Sequence, residues 1–281
     1  MVETIEELRV ELKKSVEWEQ DQSDLWFWEK IGRLPFKLLD KMTPAFIQNK
    51  IGTLLDELGQ YVQTGGKYLS SVSSLKSYYP DNNVHTLADV ELVPIVEMDE
   101  AVSKLAKNRK QLATLQGAGT GIGGIFTLSI DIPLLLGIQL KTLQDIAMCY
   151  GYDPNDKEER VYIVKVLQFV SSDIVGKQAI LQQLSLIDSS DEGVKREVIS
   201  ELQGWREVVM THRDQIGWKK LFQMIPIVGL LVGAFINRSA VGDLAEAGMM
   251  LYRKRKITER LAMASEDINN KTNHHIPTLE K

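Results

Sequence analysis

A single cysteine, Cys149, stands in 281 residues, so neither an internal disulfide nor a multi-thiolate zinc site is open to this chain. Basic surplus is also lacking. There are 33 Lys and Arg against 38 Asp and Glu, a formal net charge of −5, which argues against a general nucleic-acid binder and leaves room only for a local basic patch. The opening "MVETIEELRVELKKS" has no basic region followed by an apolar core, so no secretory signal is expected and a cytoplasmic location is the default. Alternating strand patterns and hairpin turn signals are absent, as are G-x-S-x-G and H-E-x-x-H. What remains is an ordinary globular composition, 44% hydrophobic and 25% charged, in a chain long enough to bury a substantial core.

Helical signals fill the space that strands leave. Thr4–Glu7 has the pattern of a capping box, with Ile5, Leu8 and Leu12 on one face behind it. Thr43 and Pro44 form an N-cap and first-turn pair. "TGG" at 64–66 and "YYPDNN" at 78–83 are breaks. A periodic segment from Ile95 to Leu115 places Val96, Met98, Val102, Leu105, Leu112 and Leu115 on apolar positions. "LLLGIQLKTLQDIAMCYG" predicts a helix ending near Gly151, and Asp156 with Glu159 resembles a second capping box. Further helices are expected over 157–187, 191–215, 219–236 and 240–265. The expectation is an all-α protein: one compact multi-helix domain over 1–265, built around two glycine-faced apolar helices, with a flexible tail over 266–281.

The two glycine blocks are the most informative stretches. "GAGTGIGGIFTLSIDIPLLLG", residues 117–137, carries Gly119, Gly121 and Gly124 in the order G-x-G-x-x-G. A dinucleotide loop needs a strand before that pattern, and a helical, charged segment precedes it here. No G-K-[ST] follows either, so no nucleotide and no other cofactor is expected. As a membrane span, residues 117–140 offer 11 Ile, Leu or Phe side chains, worth roughly −3 to −7 kcal/mol for insertion. Asp131 costs about 2.5 to 3.5 kcal/mol against that, and six glycines and a proline subtract more. Asp131, two residues before Pro133, suits a helix N-cap; as a buried carboxylate it is also the acid nearest a functional role. Gly117/Gly121 and Gly119/Gly123 are spaced four apart, which lets another helix backbone approach closely. Gly229 and Gly233 repeat that spacing in "IPIVGLLVGAFINRS". Its apolar run, 221–236, has 16 residues, about 24 Å as a helix and short for a span. Close helix packing is the preferred reading, either inside a core or as a hairpin entering one leaflet.

In these blocks and one earlier element the chain resembles the EcsC family. "GAGTGIGG" followed by "DIPLLLGIQLKTLQDIAMCYGYD", the later "IPIVGLLVGAFINRSAVGDLAEAGMMLYRKR" and the earlier "WEKIGRLPFKLLDK" are similar to its signature blocks, over roughly residues 18–256. The resemblance implies a bacterial protein on the cytoplasmic side with some relation to membranes or transport, its namesake being encoded beside an ABC transporter. It implies no catalytic residues.

Two surfaces are candidates for contact. In "DLWFWEKIGRLPFKLLDK", Trp26 and Trp28 lie beside a strip of Lys30, Arg33, Lys37 and Lys41. Residues 26–50 carry five basic and two acidic side chains, the composition of an interfacial helix on anionic lipid. A core-covering helix with solvated charges is the competing reading. "YRKRK" at 252–256 is the densest basic run; Arg253, Lys254 and Arg255 suit headgroups or an acidic partner, or a merely solvated face. Asp145 is expected to pair with Lys141. His212, His274 and His275 have no partners that suggest catalysis or a metal. The expectation is a non-enzymatic protein without metal, contacting membrane lipid or a membrane-protein partner such as a transporter. The alternative is a soluble interaction module with its glycine-zipper helices wholly buried.

Overall fold

A computed structural model describes residues 3–22, 44–80, 84–119, 132–172, 174–188 and 240–273; over 44–52, 110–119, 132–135, 174–175, 240–241 and 267–273 it describes the backbone alone. Nine α-helices and two short 3-10 turns form these residues, with no strand among them. The helices are α1 (Ile5–Asp21), α2 (Pro44–Thr64), α3 (Leu75–Tyr78), α4 (Leu87–Val90), α5 (Ile95–Gly119), α6 (Ile132–Cys149), α7 (Lys157–Ser171), α8 (Ile174–Ile187) and α9 (Ala240–Asn273).

Local chemistry accounts for most boundaries. Thr4 and Glu7 close the expected capping box at the start of α1. Pro44 is the first residue of α2, where its missing N–H costs nothing. That helix ends at Gly65, whose φ of +74° lets its N–H return to the Tyr61 carbonyl at 2.8 Å. Pro133 falls in the first turn of α6. At the far end of α6, Gly151 takes a φ of +88°. Its N–H bonds the Met148 carbonyl and that of Tyr152 bonds Ala147, each at 3.0 Å, a Schellman stop that only glycine fits without strain.

Several expectations need correction. The helix expected over 157–187 is two helices, because Ser172 is extended and its hydroxyl takes the Gln168 carbonyl at 2.7 Å. Such local side-chain bonds compete with the helical ladder. Asp156 is the N-cap residue of α7, but its side chain makes no capping bond; Glu159 is turned inwards instead. Val96 is exposed, unlike Met98, Val102 and Leu105 on the same helix. The last helix does not stop at 265 but runs to Asn273, so 266–273 of the expected tail is helical, and 274–281 lies outside the described residues.

The core forms where α6 and α9 cross the other helices. Residues 142–149 of α6, Tyr150 just after it and 159–169 of α7 are buried, and α9 packs on α1, α5, α6 and α7. At the α6–α9 crossing, a Cβ on Gly248 would stand 2.9 Å from Leu143 Cδ2 and 3.1 Å from Ile146 Cδ1. Its missing side chain is what lets the two helices meet. Polar staples fix the connections. Gln144 accepts from Ser70 N and donates to the Tyr68 carbonyl, both at 2.9 Å. Arg160 Nε reaches the Val62 carbonyl at 3.0 Å, and Nη2 the Gln63 carbonyl at 3.2 Å. A guanidinium thereby satisfies carbonyls that the end of α2 leaves open.

Candidate functional site

The most unusual chemistry of the described residues lies along α9 between Tyr252 and Arg260. Successive residues of a helix point in different directions: Tyr252 and Arg255 meet at Glu159, Arg253 turns to Glu11 and Asp99, and Lys256 and Arg260 turn to Glu91 and Glu3.

Tyr252 is fully buried. Its ring lies 5.0 Å from that of Tyr162, 5.4 Å from Tyr152 and 6.4 Å from Tyr150. Its hydroxyl donates to Glu159 Oε1. The other oxygen of Glu159 accepts from Arg255 Nη1 at 2.7 Å. Arg255 is held between two rings, its guanidinium carbon 4.1 Å from the Tyr152 centroid and 4.4 Å from that of Tyr162. Its Nε lies 2.7 Å from Asp188 Oδ1, close enough to pair electrostatically although the alignment is not that of a hydrogen bond. Burial pushes the Glu159 carboxyl above the ordinary range, against the pull of Arg255 and Tyr252. Burial also works against the charge of Arg255, but Glu159 and Asp188 outweigh it, and the guanidinium is held more firmly protonated than usual.

Arg253 enters a second pocket of charge. Its Nε donates to Asp99 Oδ2 at 2.8 Å, and Nη1 to the Glu11 carbonyl at 3.0 Å and Ser15 Oγ at 3.1 Å. The Glu11 carboxylate pairs with Nη2. Asp99 also accepts from Tyr150 at 2.5 Å; burial raises its pKa in spite of that bond and of Arg253. Lys256 pairs with Glu91 at 2.6 Å. Arg260 pairs with Glu3 at 2.7 Å and donates to the Val93 carbonyl at 2.8 Å. One stretch of one helix thus ties α1, α5, α7 and the ends of α4 and α8 together by charge.

The basic run expected at headgroups is therefore covered in this structure. Arg253 and Arg255 are inside, and Lys254, 35% exposed, pairs with Glu19 at 2.6 Å. Asp145 is 1% exposed and pairs with Arg109 at 2.5 Å, not with Lys141, which faces solvent. A lysine four residues before an aspartate is the weaker order for a helix pair. Gly117 and Gly119 form the last turn of α5. Gly121, Gly123, Gly124, Gly229, Gly233, Asp131, Trp26, Trp28, Lys30, Arg33 and Lys37 lie outside the described residues, as do His212, His274 and His275. Among the described residues no group of three His, Cys, Asp or Glu side chains is placed to hold a metal ion.

Asp188 offers a check on this electrostatics. Burial raises its pKa from 3.8 to about 6, Arg255 pulling the other way and Glu259 and Glu159 adding to the rise. The folded state then holds a proton more tightly than the unfolded chain. This favours folding below the ordinary aspartate range, and the contribution fades as pH climbs toward 6. Asp188→Asn should remove that fall, leaving the variant at least as stable as the parent at pH 7.5 in urea titrations. Water reaches part of the side chain, 27% exposed, and reduces the size of the gain. A clear loss of stability at pH 7.5 would mean that the ion pair outweighs desolvation.

The class defined by these observations is an all-α protein whose C-terminal helix is a charged spine for the helices around it. By sequence the chain belongs to the EcsC protein family, whose profile matches residues 9–257. It is 54% identical over 260 residues to a protein printed as "Uncharacterized protein YdbA" from Bacillus subtilis (strain 168), covering 91% of this chain and 95% of that one. It is 29% identical over 171 residues to "Protein EcsC" of the same organism, covering 61% and 69%. No solved structure matches it.

Proposed function

We propose that this EcsC-family chain is a non-enzymatic protein that works at the cytoplasmic face of a membrane, contacting lipid or a membrane-protein partner such as a transporter. The contact would be made by the stretch bearing Trp26, Trp28, Lys30, Arg33 and Lys37. One observation carries the reading: this stretch sets two tryptophans beside a basic strip within a chain of net charge −5. Indole rings suit the headgroup layer, and lysines and arginines beside them suit anionic lipid. The conspicuous buried ionisable groups support a structural rather than catalytic use, because both oxygens of Glu159 are engaged by Tyr252 and Arg255. No helix of the described residues is long and apolar enough to cross a membrane.

The test is flotation of the purified protein with neutral and with anionic liposomes, at low and high salt. The parent should float with anionic vesicles, and Trp26→Ala/Trp28→Ala should lose most of that binding with its thermal unfolding unchanged. A double variant that floats like the parent would remove this surface. A parent that never floats would favour the alternative, a soluble interaction module with its glycine-zipper helices buried.

A further inference from the structure

The way α1 is fastened stands out. It lies antiparallel to α9, and most of what joins them is charge. Glu3 meets Arg260, Glu11 meets Arg253 and Glu19 meets Lys254. Ser15 accepts from Arg253 at 3.1 Å, and Trp18 Nε1 donates to Glu246 at 2.9 Å. Leu8 is the one apolar residue of α1 that is fully buried; Leu12 and Trp18 pack against the core in part. Residues 3–22 hold seven acids and three bases, a net −4, while residues 252–260 hold five bases and one acid, a net +4. An acidic helix therefore covers a basic one, and Asp21, the last residue of α1, stands five positions before Trp26.

Resting on the reading above, that the chain works at a membrane, we propose that α9 between Arg253 and Arg260 is a second surface for anionic lipid headgroups. In this structure α1 masks it as an acidic strap. Arg255 and Lys256 keep carboxylates of their own, on Glu159, Asp188, Glu91 and Glu259. The charge that α1 covers is that of Lys254, Arg260 and Arg253, the last shared with Asp99. These three span two helical turns, about 10 Å, within reach of several headgroups. A 17-residue helix holds together poorly once its tertiary contacts go; the carboxylates that fasten it are only 14–22% exposed, so they release their cations only where another anion takes each place. An anionic bilayer supplies phosphates at high local density and competes for the same cations. It also repels the strap, whose own net charge is negative.

The experiment uses the full chain with vesicles of phosphatidylcholine alone or mixed with phosphatidylglycerol. Glu3→Gln/Glu11→Gln/Glu19→Gln removes the strap's three ion pairs without altering α9. At low salt this variant should partition onto phosphatidylglycerol vesicles more strongly than the parent, by about fivefold for each uncovered cation, with the excess lost at high salt. A folded variant whose α1 amides exchange freely but whose partitioning equals the parent's overturns the inference. Should the variant not fold, the parent decides it. Amides of 5–21 should lose hydrogen-exchange protection with phosphatidylglycerol vesicles and keep it with phosphatidylcholine. Protection unchanged while the parent is bound overturns the inference. The Trp26→Ala/Trp28→Ala control separates the two ideas: placed in the triple-Gln background, it should leave the salt-sensitive excess in place even where the Trp surface has failed.

Discussion

Arg255→Met is expected to lower folding stability by about 3–5 kcal/mol, measured as a fall in the urea midpoint at pH 7.5. The size comes from what the change leaves behind. Glu159 is 4% exposed and would keep only the Tyr252 hydroxyl, while Asp188 would lose the cation that most opposes its raised pKa. An unpaired carboxylate inside a protein costs far more than the pair contributes. The pH dependence fixes the cause. With Arg255 gone, both carboxyls titrate further above their unfolded values, so their ionisation opposes folding and the penalty shrinks as pH falls through their folded-state pKa values. The deficit against the parent should therefore be smaller at pH 5 than at pH 8. Arg255→Lys should recover only part of it, because an ammonium neither forks to two carboxylates nor lies flat between the Tyr152 and Tyr162 rings. A deficit below about 1 kcal/mol and independent of pH would show the cluster to be no more than a surface-type salt bridge.

Tyr252→Ala is the second large effect, expected at about 3–5 kcal/mol by analogy with buried aromatic truncations. It empties a fully buried site between three other rings and removes a donor from Glu159. Comparison with Tyr252→Phe separates the two contributions. The phenyl ring keeps the packing and loses only the hydrogen bond to a carboxylate, worth about 1.5–3 kcal/mol. Chemical denaturation of both variants reads the difference. Equal losses would mean that the ring contacts contribute little and the hydroxyl nearly everything.

How much of this was legible in the sequence depends on how far apart the participating residues lie. The capping box of Thr4 and Glu7, the stop at Gly151 and the helix opening at Pro44 are decided within a few residues, and all three are where local signals place them. The break at Ser172 is also local, but its signal, two serines and an aspartate in an otherwise apolar run, yielded to the helical period on either side. The charged cluster had no local signature. Glu159 sits in the position of a helix-start acid and looks like one, yet its partners Tyr252 and Arg255 are 93 and 96 residues away. "YRKRK" has the composition of an exposed patch; only the arrival of Glu11, Asp99, Glu159 and Glu91 from four other segments turns it inward. A hint was available in Tyr150, Tyr152 and Tyr162, since rings close together in sequence suit the flanks of an arginine. The close approach of helices was expected at the 117–124 and 229–233 glycines; the one seen among the described residues is at Gly248, which no four-residue spacing marked.

The polarity of the ion pairs along the chain has a consequence for how the protein is made. The carboxylates on α1, on α7 and at the ends of α4 and α8 all precede their cationic partners on α9, by 257 residues for Glu3 with Arg260 and by 96 for Glu159 with Arg255. A ribosome, which adds residues at about 5–20 per second, therefore releases the acids first and their counterions last. Until α9 emerges, Glu11, Asp99 and Glu159 lack the arginines that they pair with in the folded protein. Residues 1–239 hold 32 acids and 26 bases, so what waits is not the overall charge but these particular carboxylates, which meet their cations only when residues 253–260 follow.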